Sequence, residues 1–455
     1  MNLDQIHNVY FVGIGGIGMS ALARYYNGQG KKVSGYDKTE TKLTKALVSE
    51  GMFVHYDDQG ADVLNGLEKE NTLVVYTPAV QESFGELVAL RQAGFMVIKR
   101  AAALGLISNE FETFAIAGTH GKTTTSAILA HVLYHTKEQC NAFVGGLTTN
   151  YNSNCIVVPG SKRMVVEADE FDRSFLQLKP NYAIITTIDS DHLDIYGDGE
   201  ELKVSFMDFI NRINPEGALF IHADAKNELP LSYPETIYSY AFDQDADWTG
   251  SKLVYEEGRF YFDIQHKDTT FKRVEFGLPG KHNAENALAV FALCYHKGVS
   301  EEIIRKAFAS FKGVKRRFEF HIKRDDLIVI DDYAHHPTEI GAFLKAVREI
   351  YPKKKIALVF QPHLFSRTRD FMNDFALTLS LADQLYLLPI YPAREEPIQG
   401  VTSESLLNKI VLERKQISSK TTIVKDLEKD QHELILIVGA GDIDTCIEPI
   451  VSHYS

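Results

Sequence analysis

The stretch Ala115-Ile116-Ala117-Gly118-Thr119-His120-Gly121-Lys122-Thr123-Thr124-Thr125 constrains this chain more than any other. It follows the apolar run Phe114–Ala117 and leads into a helical pattern, Ser126 to Tyr134. Strand, glycine turn, Lys-Thr and helix together make a phosphate-binding loop. Gly118 and Gly121 let backbone N–H groups close round a phosphate. Lys122 places a point charge on the β/γ oxygens, and the Thr123 hydroxyl suits Mg²⁺. The common G-x-x-x-x-G-K-[ST] pattern has its first glycine where this chain has Ile116, so the loop is a variant. A bare turn between strand and helix seldom carries Lys-Thr at the helix start.

At 455 residues the chain is long for one core, and about three domains are expected. The formal charge of −13 disfavours nucleic acid as a partner, since duplex binding needs a basic footprint. No apolar run reaches membrane-spanning length, so no membrane insertion is expected. The first residues, Met1-Asn2-Leu3-Asp4-Gln5, lack the basic and apolar regions of a signal peptide. Cys140, Cys155, Cys294 and Cys446 are scattered without a CxxC pair, which predicts buried free thiols in a reducing cytoplasm.

Residues 8–100 alternate short apolar strands (Asn8–Gly13, Lys32–Tyr36, Thr72–Tyr76) with helical segments such as Met19–Asn27. This alternation predicts a parallel sheet covered by helices on both faces. A second series starts at Glu112 and includes strands at Met164–Glu167 and Tyr182–Ile188. In 252–276, Phe260, Phe262 and Ile264 alternate with polar neighbours, which predicts an antiparallel extension. A third series has strands at Leu327–Ile330, Ile356–Phe360, Gln384–Leu388 and Leu434–Val438. The predicted domains are 1–106, 107–314 and 315–455.

Several constellations carry chemistry. Gly13-Ile14-Gly15-Gly16-Ile17-Gly18 fits G-x-G-x-x-G between strand and helix, and Asp37 ends the next strand. That is the setting for a dinucleotide or a UDP-sugar diphosphate, with the acid placed for a ribose hydroxyl; a structural turn is the plainer alternative. Val165-Val166-Glu167-Ala168-Asp169-Glu170 places acids at a strand end, and Glu167 and Glu170 are both candidate metal ligands. Asp189-Ser190-Asp191-His192 ends another strand, so His192 is a candidate for metal or phosphate contact. Asn283 and Asn286 lie one helical turn apart before the helix Ala287–His296, suited to a base or phosphates, or simply to capping. Arg317, Asp332, His335, His336, His363, Arg367 and Arg369 surround strand ends of the third series. Arg pairs there suit carboxylates or phosphates; surface salt bridges are the alternative.

In their order along the chain these motifs resemble those of the Mur ligases, the ATP-dependent amino-acid ligases of bacterial peptidoglycan synthesis. The matching segments are Gly13 to Ser20 (GIGGIGMS), Gly118 to Thr125 (GTHGKTTT), Glu167 to Asp172 (EADEFD), Asp191-His192, Lys281 to Asn286 (KHNAEN), Arg316-Arg317-Phe318, Asp332 to Pro337 (DYAHHP) and Gln361 to Arg369 (QPHLFSRTR). The resemblance implies three α/β domains: an N-terminal Rossmann-like parallel sheet, a central P-loop ATPase-like domain with a β extension, and a C-terminal Rossmann-like domain. It implies UDP-sugar binding by Gly13, Gly15, Gly16, Gly18 and Asp37. It implies ATP binding by Gly118, Thr119, His120, Gly121, Lys122, Thr123, Thr124, His282, Asn283 and Asn286, with Arg317 and Asp332 closing from the third domain.

The same resemblance makes Lys122, Glu167 and His192 catalytic, with Thr123, Glu167 and His192 as metal ligands. His336, His363, Arg367 and Arg369 would meet the amino acid and the muramyl carboxylate. The implied cofactors are ATP and two Mg²⁺ ions, with Mn²⁺ as a substitute. The implied partners are UDP-N-acetylmuramate and L-alanine, in a monomer or homodimer. Attachment of recycled tripeptide to the same UDP-sugar is the alternative within the family. A non-catalytic nucleotide-sugar binder and a nicotinamide oxidoreductase are the alternatives outside it. The chain departs from the family pattern at Phe171, Arg173, Leu364 and Phe365. Phe206 or Met207 stands where several members carry a carbamylated lysine, with Lys203 off register.

Overall fold

Five short runs, Asn8–Val12 (β1), Lys32–Tyr36 (β2), Phe53–His55 (β3), Thr72–Tyr76 (β4) and Met96–Lys99 (β5), pair in parallel in the order β3-β2-β1-β4-β5. The strand β1 is apolar on both faces, and Val9, Tyr10, Phe11 and Val12 are all buried, as a central parallel strand requires. The chain winds outward from β1 through β2 to β3, then restarts beside β1 with β4. That reversal leaves a crevice beyond the C-terminal ends of β1 and β4, where α/β sheets bind ligands. The structure, a computed structural model, describes residues 5–189, 199–393 and 395–455.

A second sheet contains Glu112–Ala117 (β6), Asn141–Thr148 (β7), Ser153–Ile156 (β8), Arg163–Glu167 (β9), Tyr182–Ile185 (β10), Ala218–His222 (β11), Ile237–Phe242 (β12), Trp248–Glu256 (β13), Arg259–His266 (β14) and Thr269–Phe276 (β15). Its order is β15-β14-β13-β12-β11-β10-β6-β9-β7-β8. The strands β9, β6, β10 and β11 are mutually parallel neighbours, and β8 is antiparallel to β7. Two-residue connections join β13 to β14 and β14 to β15, a length that only antiparallel hairpins allow. Phe260, Phe262 and Ile264 are buried while Tyr261 and Asp263 are half-buried, which is the alternation expected of this extension.

The third sheet has Glu319–Lys323 (β16), Ile328–Asp332 (β17), Ile356–Phe360 (β18), Gln384–Leu387 (β19), Lys415–Ile417 (β20) and Leu434–Val438 (β21), in the order β16-β17-β21-β18-β19-β20. All its pairings are parallel except β16 with β17. Apolar clusters cover both of its faces, one built on Ile330, Leu358 and Leu436, the other on Val329, Val359 and Ile437.

The chain forms two compact units. The first holds residues up to Gly250 with Ile264–Thr270 and Asn286–Phe311. The second holds Ser251–Asp263, Phe271–Glu285 and Lys312–Ser455, and strands β13 to β15 run across this division. Three elements depart furthest from expectation at one end. The helix expected from Ser126 starts at Lys122, and the one expected from Ala287 starts at Lys281. The strand expected to reach Ile188 stops at Ile185, because Thr186 and Thr187 turn their hydroxyls to the loop after β6. Cys140, Cys155, Cys294 and Cys446 are all buried. Among the described residues no helix is long and apolar enough to cross a membrane.

The first sheet tolerates no side chain at Gly35 on β2, because a Cβ there would land on the carbonyl oxygen of Phe11 in β1. Gly35→Ala should therefore destabilise the fold by about 1–3 kcal/mol, the usual range for overpacking. A lower urea midpoint at unchanged slope would register it, and an unchanged midpoint would contradict it.

Candidate active site

The loop after β6 closes on two glycines in the left-handed region, Gly118 (φ +128°) and Gly121 (φ +81°). A Cβ at Gly118 would land on the Thr186 hydroxyl, so that position requires glycine for space as well as conformation. Residues following β10 brace the loop. The Thr119 N–H donates to the Thr187 carbonyl at 2.9 Å, and the His120 N–H donates to the Thr187 hydroxyl at 3.1 Å. The Asp189 N–H donates to Thr119 Oγ1 at 3.0 Å, and Asp189 also pairs with His120 Nε2 at 3.2 Å. Gly121 precedes the helix Lys122–Tyr134, whose N-terminus carries no side-chain cap, and Thr123 and Thr124 are buried in its first turn. Asn286 packs against Gly121: a Cβ there would sit 2.8 Å from Asn286 Oδ1.

The Lys122 ammonium donates to the Gly118 carbonyl at 2.6 Å and to Glu170 Oε1 at 2.8 Å. Glu170 has no exposed side-chain surface, and Lys122 keeps only 13 %. Burial works against the lysine charge, but the carboxylates of Glu170, Asp169 and Glu167 outweigh it and hold the ammonium above its ordinary pKa. Burial pushes the Glu170 carboxyl up to about 7, with Lys122 opposing. Lys122 therefore keeps its charge, and Glu170 is the group that exchanges a proton near neutrality.

Glu167, at the end of β9, takes a different partner set. Its carboxylate accepts from the Thr123 hydroxyl at 3.1 Å and from the Gly145 N–H at 2.9 Å. A Cβ at Gly145 would strike both carboxylate oxygens, so glycine makes the cradle. The two acids left open as metal ligands thus part company: Glu167 shares its oxygen with Thr123, while Glu170 holds Lys122. His192 lies outside the described residues.

Gly13 follows β1 and packs on Thr77, which follows β4. Gly16 and Gly18 line a pocket of about 250 Å³ with Thr77, Arg100, Glu167 and Asp169. One pocket therefore reaches from the glycine-rich turn to Glu167. Half-buried Asp37 already has a partner in the glycine-rich turn. Its carboxylate accepts from the Gly15 N–H at 2.7 Å, and any side chain at Gly15 would meet it. Sequence reasoning missed Arg100 and Asp169, which form an ion pair at 3.2 Å on the wall of this pocket.

In the second unit, half-buried His282 lines a pocket with Thr338 and Lys345 of the helix Pro337–Ile350. Asn283 donates to the Pro279 carbonyl at 2.6 Å, whereas a capping side chain would accept an N–H. Arg317 lies over the Tyr333 ring, 5.0 Å from its centroid. Buried Asp332 accepts the N–H groups of Phe318 and Ala334 at 2.8 Å each. Burial pushes its pKa up to about 6, opposed by Arg317 and those N–H groups. His336 caps the helix Pro337–Ile350 in a capping box with Glu339. His363 lies 5.9 Å from the His335 ring, and its Nδ1 is 3.3 Å from the buried Arg367 guanidinium. Arg369 is exposed and pairs with its neighbour Asp370. His335, His363 and Arg367 thus converge after β17 and β18, while His336 and Arg369 turn to local roles.

The family described as Mur ligase family, catalytic domain, matches residues 8–112. The Mur ligase middle domain matches 116–294, and the Mur ligase glutamate ligase domain matches 316–443. The chain is 49% identical to the UDP-N-acetylmuramate–L-alanine ligase of Flavobacterium psychrophilum, covering 97% of each chain. It is 46% identical to the enzyme of the same name from Cytophaga hutchinsonii, covering 99% of this chain and 97% of that one. Its fold is similar to the crystal structure of a UDP-N-acetylmuramate–alanine ligase from Thermotoga maritima, with TM-score 0.83, 28% identity and coverage of 98% and 99%.

The buried pair generates a pH prediction. Because the folded Glu170 pKa lies above its ordinary 4.5, the bound proton stabilises the fold; that contribution is full below about 4.5 and is lost as pH rises through about 7. Lys122→Met removes the opposing cation. The ligand-free variant should lose on the order of 3 kcal/mol relative to the parent at pH 8, and clearly less at pH 5. Chemical unfolding at the two pH values reads this directly, and equal losses at both would contradict it.

Proposed function

Because the chain belongs to the Mur ligase family, we propose that it joins L-alanine to the lactyl carboxylate of UDP-N-acetylmuramate with hydrolysis of ATP to ADP and phosphate. The observation that carries this reading is the single pocket shared by the glycine-rich turn and Glu167, beside the phosphate loop. A nicotinamide oxidoreductase has no use for that loop, and a simple sugar-nucleotide binder has no use for Lys122 and Glu167 together. Nearly full-length relatives at 46–49% identity that carry the alanine ligase name favour alanine over recycled tripeptide.

A carboxylate is a poor electrophile. In the proposed reaction a lactyl carboxylate oxygen attacks the γ-phosphorus, ADP leaves, and an acyl phosphate forms. The alanine amine, as free base, then attacks the acyl carbon, and phosphate departs with the amide formed and one proton released. Lys122 neutralises the transferring phosphoryl, and the Gly118–Gly121 backbone, Thr119, His120 and Thr124 enclose the phosphates. Thr123 and Glu167 offer two hard oxygens 3.1 Å apart, which fits Mg²⁺, and His192 would complete the set. The ion, when bound, supplies charge neutralisation at the β- and γ-phosphates.

The three-domain division near residues 107 and 315 belongs to the same proposal. In it the turn Gly13–Gly18 with Asp37 takes the UDP moiety. His282, Asn283, Asn286, Arg317 and Asp332 serve the nucleotide, and His363 and Arg367 are stronger candidates for the carboxylates than His336 or Arg369. A cytoplasmic location follows from where ATP and UDP-sugars are held.

Release of ADP with UDP-N-acetylmuramate and each of L-alanine, L-serine, glycine and tripeptide tests the substrate. L-Alanine should give the highest kcat/KM, and preference for tripeptide would transfer the chain to the sister activity. Lys122→Ala should abolish release while leaving UDP-N-acetylmuramate binding intact, because no other cation of the loop faces the phosphates. Near-normal turnover would sink the assignment.

Glu167→Gln should raise the Mg²⁺ concentration needed for half-maximal activity about tenfold or more, since a neutral amide is a poor ligand for a hard cation. A metal titration that does not move would shift the ligand role to Glu170.

A further inference from the structure

Three donors of the first unit, of which Arg100 lines the pocket, are each already matched by a carboxylate of the protein. Gly15 N–H holds Asp37, Lys122 holds Glu170, and Arg100 holds Asp169. Two of these donors belong to recognised motifs, whereas Arg100 belongs to none. It opens the helix Arg100–Ser108 directly after β5, and so lies on the rim that carries Gly13 after β1 and Thr77 after β4. Its guanidinium lies against Gly18: a Cβ there would come within 2.8 Å of Arg100 Nη1. Gly18 is in the first turn of the helix Ile17–Gly28, which has no side-chain cap and no acidic residue at that end.

Resting on the reading that this pocket takes UDP-N-acetylmuramate, we propose that Arg100 grips the diphosphate of the UDP-sugar, and that Asp169 is an internal stand-in for that diphosphate, displaced when it binds. The chemistry favours the exchange. A guanidinium fork matches two phosphate oxygens in parallel, and a diphosphate carries more charge than one carboxylate. The Arg100–Asp169 pair is also only partly buried, at 22 % and 36 % side-chain exposure, so it is screened and weakly held. Asp169 has somewhere to stay when released, because its other oxygen already accepts the Phe171 N–H at 3.1 Å. Thr77 and Gly16 on the same wall leave the pocket without a second cation of its own among the described residues that line it.

The pair has a competing explanation as a tie between the first sheet and the acidic segment, and the two predict opposite signs for Asp169. Isothermal calorimetry on the full chain without ATP or metal should use UDP-N-acetylmuramate, with UDP-N-acetylglucosamine measured by competition against it. The two share the diphosphate and differ in the lactyl carboxylate. Arg100→Ala should weaken both by about tenfold or more and by similar factors, and Arg100→Lys should recover part of the loss. Asp169→Asn should tighten both several-fold, because the competitor is gone.

Weaker binding in Asp169→Asn, or unchanged binding in Arg100→Ala, would overturn the proposal. So would a loss confined to UDP-N-acetylmuramate, which would put Arg100 on the carboxylate. Thermal melts of Arg100→Lys and Asp169→Asn separate unfolding from lost contact. If the parent protein binds neither sugar nucleotide, the substrate reading fails; if it binds both and the variants behave like it, only this inference fails.

Discussion

In the central sheet β6 lies between β9 and β10, and all three run the same way, so the loops that follow them leave from one rim. Lys122, Glu167 and Thr186 are thereby neighbours although they are far apart in sequence. The first sheet does the same for Gly13, Thr77 and Arg100 through β1, β4 and β5. Parallel pairing of buried apolar strands thus gathers polar groups from many segments without any of them entering the core. Thr187 holds the Thr119 and His120 N–H groups, and Glu170 holds the Lys122 ammonium.

That gathering has an electrostatic cost. A lysine with little exposure is tolerable only beside an anion, and an acid with no exposed surface only beside a cation. Lys122 and Glu170 solve this for each other in the absence of nucleotide. Under the proposed function, nucleotide phosphates would offer Lys122 a stronger anion, and the raised pKa of Glu170 makes its protonation accessible near neutrality. Glu167 escapes this competition because its partners are a hydroxyl and a backbone N–H, neither of them charged. The lysine is left to its neighbour Glu170.

The strands were the most legible part of the chain. Lys32–Tyr36, Thr72–Tyr76, Ile356–Phe360 and Leu434–Val438 coincide with the structure residue for residue, and the last two are unbroken apolar runs buried on both faces. Elements at the site were less legible, since their ends are set by partners distant in sequence. Thr186 and Thr187 look like strand residues yet serve the phosphate loop, and the polar opening Lys281-His282-Asn283 hid the start of a helix. Arg100 has no motif around it and becomes visible only when β5 is placed on the rim. The capping role of His336 was readable in principle, because Pro337 and Glu339 follow it at the N1 and N3 positions of a helix.

Asp332 shows how a buried acid can act through its neighbours. Both of its oxygens are occupied by the N–H groups of Phe318 and Ala334, so it has little left to offer a ligand directly. The segment it holds is costly: Arg316 and Phe318 both sit at positive φ, +61° and +52°, where side chains are disfavoured. Further bonds share that load. The Tyr333 N–H donates to the Arg316 carbonyl at 2.7 Å, and the Arg316 guanidinium donates to the Gly439 carbonyl at 2.6 Å. Between these two left-handed residues stands Arg317, over the Tyr333 ring. The strain therefore has a consequence for direction. A relaxed segment would let the Arg317 side chain wander, whereas this one fixes the backbone on either side of it and leaves the ring of Tyr333 as the surface along which the guanidinium lies. Asp332 aims Arg317, and the buried position that raises the acid's pKa is the same position that gives it two backbone N–H groups to hold.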